Sequence, residues 1–238
     1  MKERPVLMNG AMVRATLRDV DPKTQTRRVI KPQPLGYPWF WEGDDVDPDP
    51  QWFDSYCVGE EPCGAYSEEI NKPMRCPFGQ PGDRLYVRET WQAWQRTSYE
   101  HDEWQPIGVK DATASKQRAY AGGVRVDAIE YCADGKSAGP WTPSIHMPRW
   151  ASRITLEVTG IKVERLQDIS EEDARAEGVE RSDITGMYHP TPFAGEVHAK
   201  LTARQAFESL WKAINGPDSW DANPWVWAIT FKRIEAQR

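Results

Sequence analysis

Cysteine is scarce in this chain: Cys57, Cys63, Cys76 and Cys132 are the only four in 238 residues. They are too sparse for a disulfide framework, so reduced thiols are expected. Long apolar runs are missing as well. No stretch approaches the roughly 20 residues that a membrane-spanning helix needs. Met1-Lys2-Glu3-Arg4-Pro5 also lacks the apolar stretch of a secretory signal. The expectation is a cytoplasmic protein with no membrane partner. Basic residues are outnumbered, 30 Lys and Arg against 36 Asp and Glu, for a net charge of -6. Non-specific binding along duplex DNA rests on many cationic contacts to phosphates, so this balance argues against it. Nor is there a P-loop, a dinucleotide glycine fingerprint, a heptad array or an internal repeat, and no cofactor is expected.

What is present is the composition of one globular domain carrying long loops. The chain is long enough to bury a real core. Its 39% hydrophobic and 28% charged residues exclude a disordered polymer, while 19 prolines and a mean hydropathy of -0.72 imply extended polar loops. Charge is unevenly spread. Residues 1–31 hold eight Lys/Arg against three Asp/Glu, whereas residues 32–79 hold two against ten. A basic segment therefore precedes an acidic lobe, rich in aromatics and without sustained period.

Asn9 is placed as a helix N-cap, and Val13, Thr16, Leu17 and Val20 recur at helical spacing until Pro22, which predicts a helix near 10–20. Thr24 to Ile30 carries two β-favouring threonines and ends on apolar residues before Lys31-Pro32, a strand leaving a turn that holds Lys23 and Thr26. Pro81-Gly82-Asp83 signals a turn into a strand with alternating Leu85 and Val87. Residues 92–149 read as irregular, with a hairpin across Tyr120 to Tyr131 through Gly122-Gly123. From Ile154, the alternation Ile154, Leu156, Val158, then Ile161 and Val163, is a central strand bent at Gly160. Ser170-Glu171-Glu172-Asp173 is a capping box opening a short helix that Gly178 closes, with Glu177 in its final turn. A second box, Thr202-Ala203-Arg204-Gln205, opens a helix whose Ala206, Phe207, Leu210, Trp211 and Ile214 form a core face. Trp225, Trp227, Ile229 and Phe231 alternate with Val226, Ala228 and Thr230 in a last strand.

The chemistry concentrates in Lys23-Thr24-Gln25-Thr26-Arg27-Arg28. A lysine of lowered pKa is a base, a threonine hydroxyl is a nucleophile or orienter, and an arginine offers a rigid donor fork to a base edge or phosphate. The bland alternative is a basic, solvated strand. Glu177, near a helix C-terminus, is an acid/base candidate if it is buried and a solvated carboxylate if it is not. Trp91 is a candidate for stacking a base, against the commoner role of core packing. Arg149 and Arg153 either extend a basic rim or pair with carboxylates. Cys57, Cys63 and Cys76, with His101 or His146, are weak candidates for a zinc site, since no C-x-x-C spacing is present and no metal is expected.

Taken together, K-x-x-T-x-R after a short helix, Gly82-Asp83-Arg84-Leu85-Tyr86-Val87, a strand followed by the helix Ala174 to Gly178, and a final helix and aromatic strand resemble the ASCH family. The Trp- and Pro-rich insertions, Cys76 to Asp83 and Met147 to Arg153 resemble its larger phage and prophage members. The resemblance implies an α+β fold, a small PUA-like mixed β-barrel flanked by short helices with long loop-rich insertions. It treats residues 1–238 as a single domain, with core segments 1–31, 81–91, 150–180 and 201–234 and insertions 32–80, 92–149 and 181–200. It further implies an amidohydrolase that removes an acyl group from the exocyclic amine of cytosine, in a nucleoside or nucleic acid. Lys23, Thr26 and Glu177 are its catalytic residues, and Arg28, Arg27, Trp91 and Arg149 its substrate-binding ones. The family has Gly two residues before the lysine, where this chain has Asp21 and then Pro22, a departure that bears on how Lys23 is presented. The implied partner is a nucleoside or single-stranded nucleic acid, RNA ahead of duplex DNA, in a bacterial cytoplasm. Two alternatives stand beside it: a non-catalytic module that binds RNA or a modified base, and a phage protein that engages a host protein through its acidic insertion.

Overall fold

Most sequence cues for helix ends and strand alternation become elements in a computed structural model, although the first helix stops at Leu17 and leaves Val20 exposed. The model describes residues 1–31, 33, 64–67, 72–98, 102–108, 120–121, 124–135, 139–189 and 200–234. In chain order these form β1 (Glu3–Leu7), α1 (Gly10–Leu17), β2 (Gln25–Val29), β3 (Gly64–Ser67), β4 (Lys72–Arg75), β5 (Arg84–Arg88), β6 (Trp91–Ser98) and β7 (Glu103–Pro106). There follow β8 (Tyr120–Ala121), β9 (Val124–Arg125), β10 (Ala128–Tyr131), β11 (Thr155–Arg165), α2 (Glu171–Ala176), β12 (Glu180–Arg181), β13 (Tyr188–His189), α3 (Ala203–Asn215) and β14 (Trp225–Ile234). The architecture is mixed α+β, with few helices and open sheets. Among the described residues no helix is long and apolar enough to cross a membrane.

The main sheet has the order β1-β5-β11-β14-β2. The β1–β5 pair is parallel and the other pairs are antiparallel. Its long central ladder, β11 against β14, shifts register between Val158 and Gly160, the bend that the glycine foreshadows. β14 is buried on both faces because each serves a different core. Trp227, Ile229 and Phe231 pack with Leu85, Val87, Leu156 and Val13, while Val226 packs with Phe207, Leu210 and Trp211 of α3. A strand flanked on both sides reads as continuous apolar sequence, which is the pattern of this segment.

All three predicted caps are made. Asn9 Oδ1 accepts from Met12 N at 2.9 Å, Ser170 Oγ from Asp173 N at 3.0 Å and Thr202 Oγ1 from Gln205 N at 3.2 Å. Glu171 adds a tertiary cap: its carboxylate accepts from Ala203 N and Arg204 N, at 2.8 and 3.2 Å. That negative charge at the N-terminus of α3 complements the helix dipole and ties α2 to α3.

The stretch expected to be irregular departs from expectation. Within residues 92–149 lies much of a second sheet of order β10-β6-β7, with its own apolar cluster of Trp91, Ala93, Ile107, Met147 and Ala151. Alternation is hidden there because Gln92 is also buried, donating through Nε2 to Ala93 O and Ile107 O at 2.8 and 3.0 Å. β8 pairs antiparallel with β9, in the predicted hairpin region. Gly122-Gly123 and most of the acidic lobe lie outside the described residues.

Arg153 joins the two sheets. It donates to both oxygens of Glu89 at 2.9 and 3.0 Å and to both of Asp134 at 2.9 and 2.8 Å, with its guanidinium 4.0 Å from the centre of the Tyr131 ring. Glu89 is 1% exposed, and burial raises its pKa above the ordinary carboxylate value against the pull of Arg153. Arg153→Ala strands a buried carboxylate, so chemical denaturation is expected to show a loss of about 3 kcal/mol. Arg153 therefore takes the paired role rather than that of a free basic rim.

Candidate functional site

The turn before β2 is built so that Lys23 points inward. Asp21 has φ 46°, the left-handed region where glycine is at ease and where aspartate is among the few side chains tolerated. The position at which the sequence departs from the ASCH pattern thus has a glycine-like backbone. From there the chain is stitched to both neighbouring helices: Lys23 N donates to Ala15 O at 3.0 Å, and Thr24 N to Ala176 O at 2.9 Å.

Lys23 is 2% exposed, and its ammonium donates to Glu177 Oε2 at 2.5 Å and to Glu177 O at 2.7 Å. Glu177, C-cap of α2, is 4% exposed. It is therefore a buried carboxylate held by a buried amine. Burial lowers the Lys23 pKa below the ordinary lysine value; Glu177 opposes that shift, and Arg28 and Arg27 reinforce it. The pair puts an amine and a carboxylate in direct contact out of solvent.

Arg27 secures the other side of the carboxylate. Its Nη1 donates to Glu177 Oε1 at 3.2 Å and Gln25 Oε1 at 2.6 Å. Its Nε donates to Glu164 Oε1 at 2.8 Å and its Nη2 lies 3.3 Å from Asp173 Oδ2. Gln25 Nε2 completes the ring to Asp173 Oδ1 at 3.0 Å. Burial raises the Glu164 pKa above the ordinary carboxylate value, against the effect of Arg27. Arg27 is thus a positioning residue for Glu177.

A cavity of about 70 Å³, room for several water molecules and partly open to solvent, lies beside this network. Thr26, Arg27, Arg28, Glu177 and Asn215 form its polar wall; Phe207, Leu210, Trp211 and Ile214 of α3, with Met12 of α1 and Val29 of β2, form its apolar wall. The Thr26 hydroxyl is buried without a hydrogen-bond partner among the described residues. Arg28 Nη2 donates to Leu7 O at 2.5 Å, and burial lowers its pKa, opposed by Glu177. Lys23 lies behind Glu177 and is not part of the cavity wall.

Lys23, Thr26, Arg27, Arg28 and Glu177, far apart in sequence, are therefore brought to one place. Trp91 and Arg149 are not. Trp91 is wholly buried in the second sheet, edge-on to Trp150 with ring centres 5.8 Å apart. Arg149 donates to both oxygens of Glu3, at 2.9 and 2.8 Å, on another part of the surface. Neither lines the cavity, so the structure gives them packing and ion-pairing roles. Of the zinc candidates, Cys57, Cys63 and His101 lie outside the described residues. Cys76 is buried in the main core, where burial pushes its thiol up to about 11, unlike a thiolate ligand. Among the described residues no group of three His, Cys, Asp or Glu is placed to hold a metal ion.

Gln25, Glu164, Asp173 and Trp211 are members of the site that the sequence reading did not assign to it. Gln25 was visible only as part of the Lys23 to Arg28 segment, Asp173 as part of a capping box and Trp211 as part of the apolar face of α3.

Fold and site together define a mixed α+β protein whose small half-apolar cavity is backed by a buried amine–carboxylate pair. No family model matches the chain, and no curated protein or solved structure is detectably similar to it.

Proposed function

We propose that this is an ASCH-like, nucleobase-directed amidohydrolase that removes an acyl group from the exocyclic amine of cytosine. The observation that carries the reading is the buried Lys23–Glu177 pair, 2.5 Å apart, beside a Thr26 hydroxyl that has no partner among the described residues, on the wall of one cavity. The PUA-like barrel rests on the motif resemblance; in the main sheet the edge strands β1 and β2 are linked by one side-chain bond, Arg28 to Leu7 O.

In this mechanism the Thr26 hydroxyl holds a water molecule against the carbonyl carbon of the acyl group. As the water oxygen bonds to that carbon, its proton passes to the Glu177 carboxylate, which Lys23 holds from behind. The C–N bond then breaks, the pair returns a proton to the departing exocyclic nitrogen, and the products are a carboxylic acid and the free amine. The apolar wall of α3 receives the body of the base. Arg27 keeps Glu177 in place throughout.

The test is incubation with N4-acetylcytidine and related acylcytosines, followed by chromatography. The wild-type protein is expected to release cytidine and acetate, and Glu177→Gln to be slower by a factor of about 100 or more. Absence of product from every acylcytosine overturns the hydrolase reading. A second reading, a module that binds a nucleobase without altering it, is favoured by the complete enclosure of the Lys23 amine behind Glu177. Cytidine binding without turnover is its signature.

A further inference from the structure

Three polar atoms of residues lining the cavity have no hydrogen-bond partner among the described residues: Thr26 Oγ1, Arg28 Nε and Trp211 Nε1. Trp211 belongs to α3 and is 6% exposed. Among the described residues the indole nitrogens of Trp91, Trp94 and Trp150 and the Nε atoms of Arg4, Arg84 and Arg88 are also unpartnered, but those residues do not line this cavity. A buried donor without an acceptor is costly. The guanidinium Nε and the indole Nε1 are donors only, and an oxygen entering the cavity would satisfy them. Glu177 accepts from Lys23 and Arg27, and neither Arg28 Nε nor Trp211 Nε1 bonds to it.

We infer that Trp211 is a ligand-binding residue whose indole N–H, together with Arg28 Nε, holds a carbonyl or carboxylate oxygen of the bound molecule. The identity of that oxygen rests on the function proposed above. With the acylated amine of a cytosine against Thr26 and Glu177, the ring carbonyl on the same edge of the base is placed toward Arg28, two residues or about 6.6 Å further along β2. Trp211 thereby selects for a base that carries this oxygen, and its ring contributes to the apolar wall.

Protein labelled with ¹⁵N at tryptophan indoles is titrated with cytidine, with 4-aminopyrimidine, which lacks the ring carbonyl, and with sodium acetate. The Trp211 resonance is assigned by its loss in Trp211→Phe or, should that variant misfold, from its proximity to Phe207, whose ring centre is 6.0 Å away. Cytidine is expected to move this resonance. Trp211→Phe is expected to bind cytidine about tenfold more weakly, the worth of one hydrogen bond, and 4-aminopyrimidine as well as wild type does. Equal cytidine binding by both proteins with an unmoved resonance overturns the inference, and so does a resonance that no probe moves. If cytidine moves it but no acylcytosine is hydrolysed, the role of Trp211 stands and the catalytic reading falls. If acetate alone moves it, the donor pair stands and the nucleobase reading falls.

Discussion

Lys23→Met is expected to lower the turnover of an acylcytidine by two to four orders of magnitude, the usual contribution of a positioned acid/base group. The same variant should lose about 3 kcal/mol of stability, because Glu177 keeps a buried charge after losing its closest partner. The two losses have different causes and come apart in a double variant. Lys23→Met with Glu177→Leu removes both charges, and Arg27 retains Glu164 and Asp173 as partners. Denaturant titration should show the double variant to be more stable than Lys23→Met alone, while the assay shows no recovered turnover. Near-wild-type turnover by Lys23→Met would remove the lysine from the mechanism.

A pH series adds an independent readout of the same amine. Burial lowers the Lys23 pKa in the folded protein, whereas the unfolded chain keeps the ordinary value of 10.5. Between the lowered folded value and 10.5 the unfolded state binds more protons, so the Lys23 contribution to stability rises with pH across that window. Subtracting the Lys23→Met curve isolates it. A difference that falls with rising pH contradicts a depressed folded pKa.

Local signals were legible where a side chain answers to its own neighbours along the chain. Asn9, Ser170 and Thr202 each accept from the backbone N–H three residues on, and nothing distant is needed to see why. The Gly160 bend and the aromatic β14 follow from alternation in the same way. β6 was hidden because Gln92 is buried by hydrogen bonds to Ala93 and Ile107, and binary patterning marks a buried glutamine as exposed. Arg27 illustrates the limit at the site. Its neighbours in sequence suggest a cation facing a ligand, but its partners Glu164, Asp173 and Glu177 are 137 to 150 positions away. Only the fold places carboxylates around it. Trp211 was legible as core, yet whether its indole N–H meets an acceptor depends on β2, about 180 residues earlier, and no periodicity carries that information.

Gly178→Ala is expected to damage both stability and site, since this residue sets the distance between the two halves of the amine–carboxylate pair. Gly178 follows the C-cap Glu177 with φ +93°, the left-handed closure of α2, and its N–H donates to Arg175 O at 2.8 Å. A side chain there carries a backbone strain of about 1–3 kcal/mol. A Cβ would also stand 2.9 Å from Ala15 Cβ and 3.1 Å from Lys23 Cβ. Neither atom is the end of a flexible chain, so α1, the Lys23 turn or α2 must move, adding a packing cost of about 1–3 kcal/mol. Because Lys23 N and Thr24 N are bonded to Ala15 O and Ala176 O, any such movement is transmitted to Lys23 and Glu177. Thermal denaturation should show a lowered midpoint, and the acylcytidine assay a reduced kcat with both charged residues still present. Gly178→Ala with wild-type turnover and stability would show that the close approach of α2 to the Lys23 turn is not what aligns the pair.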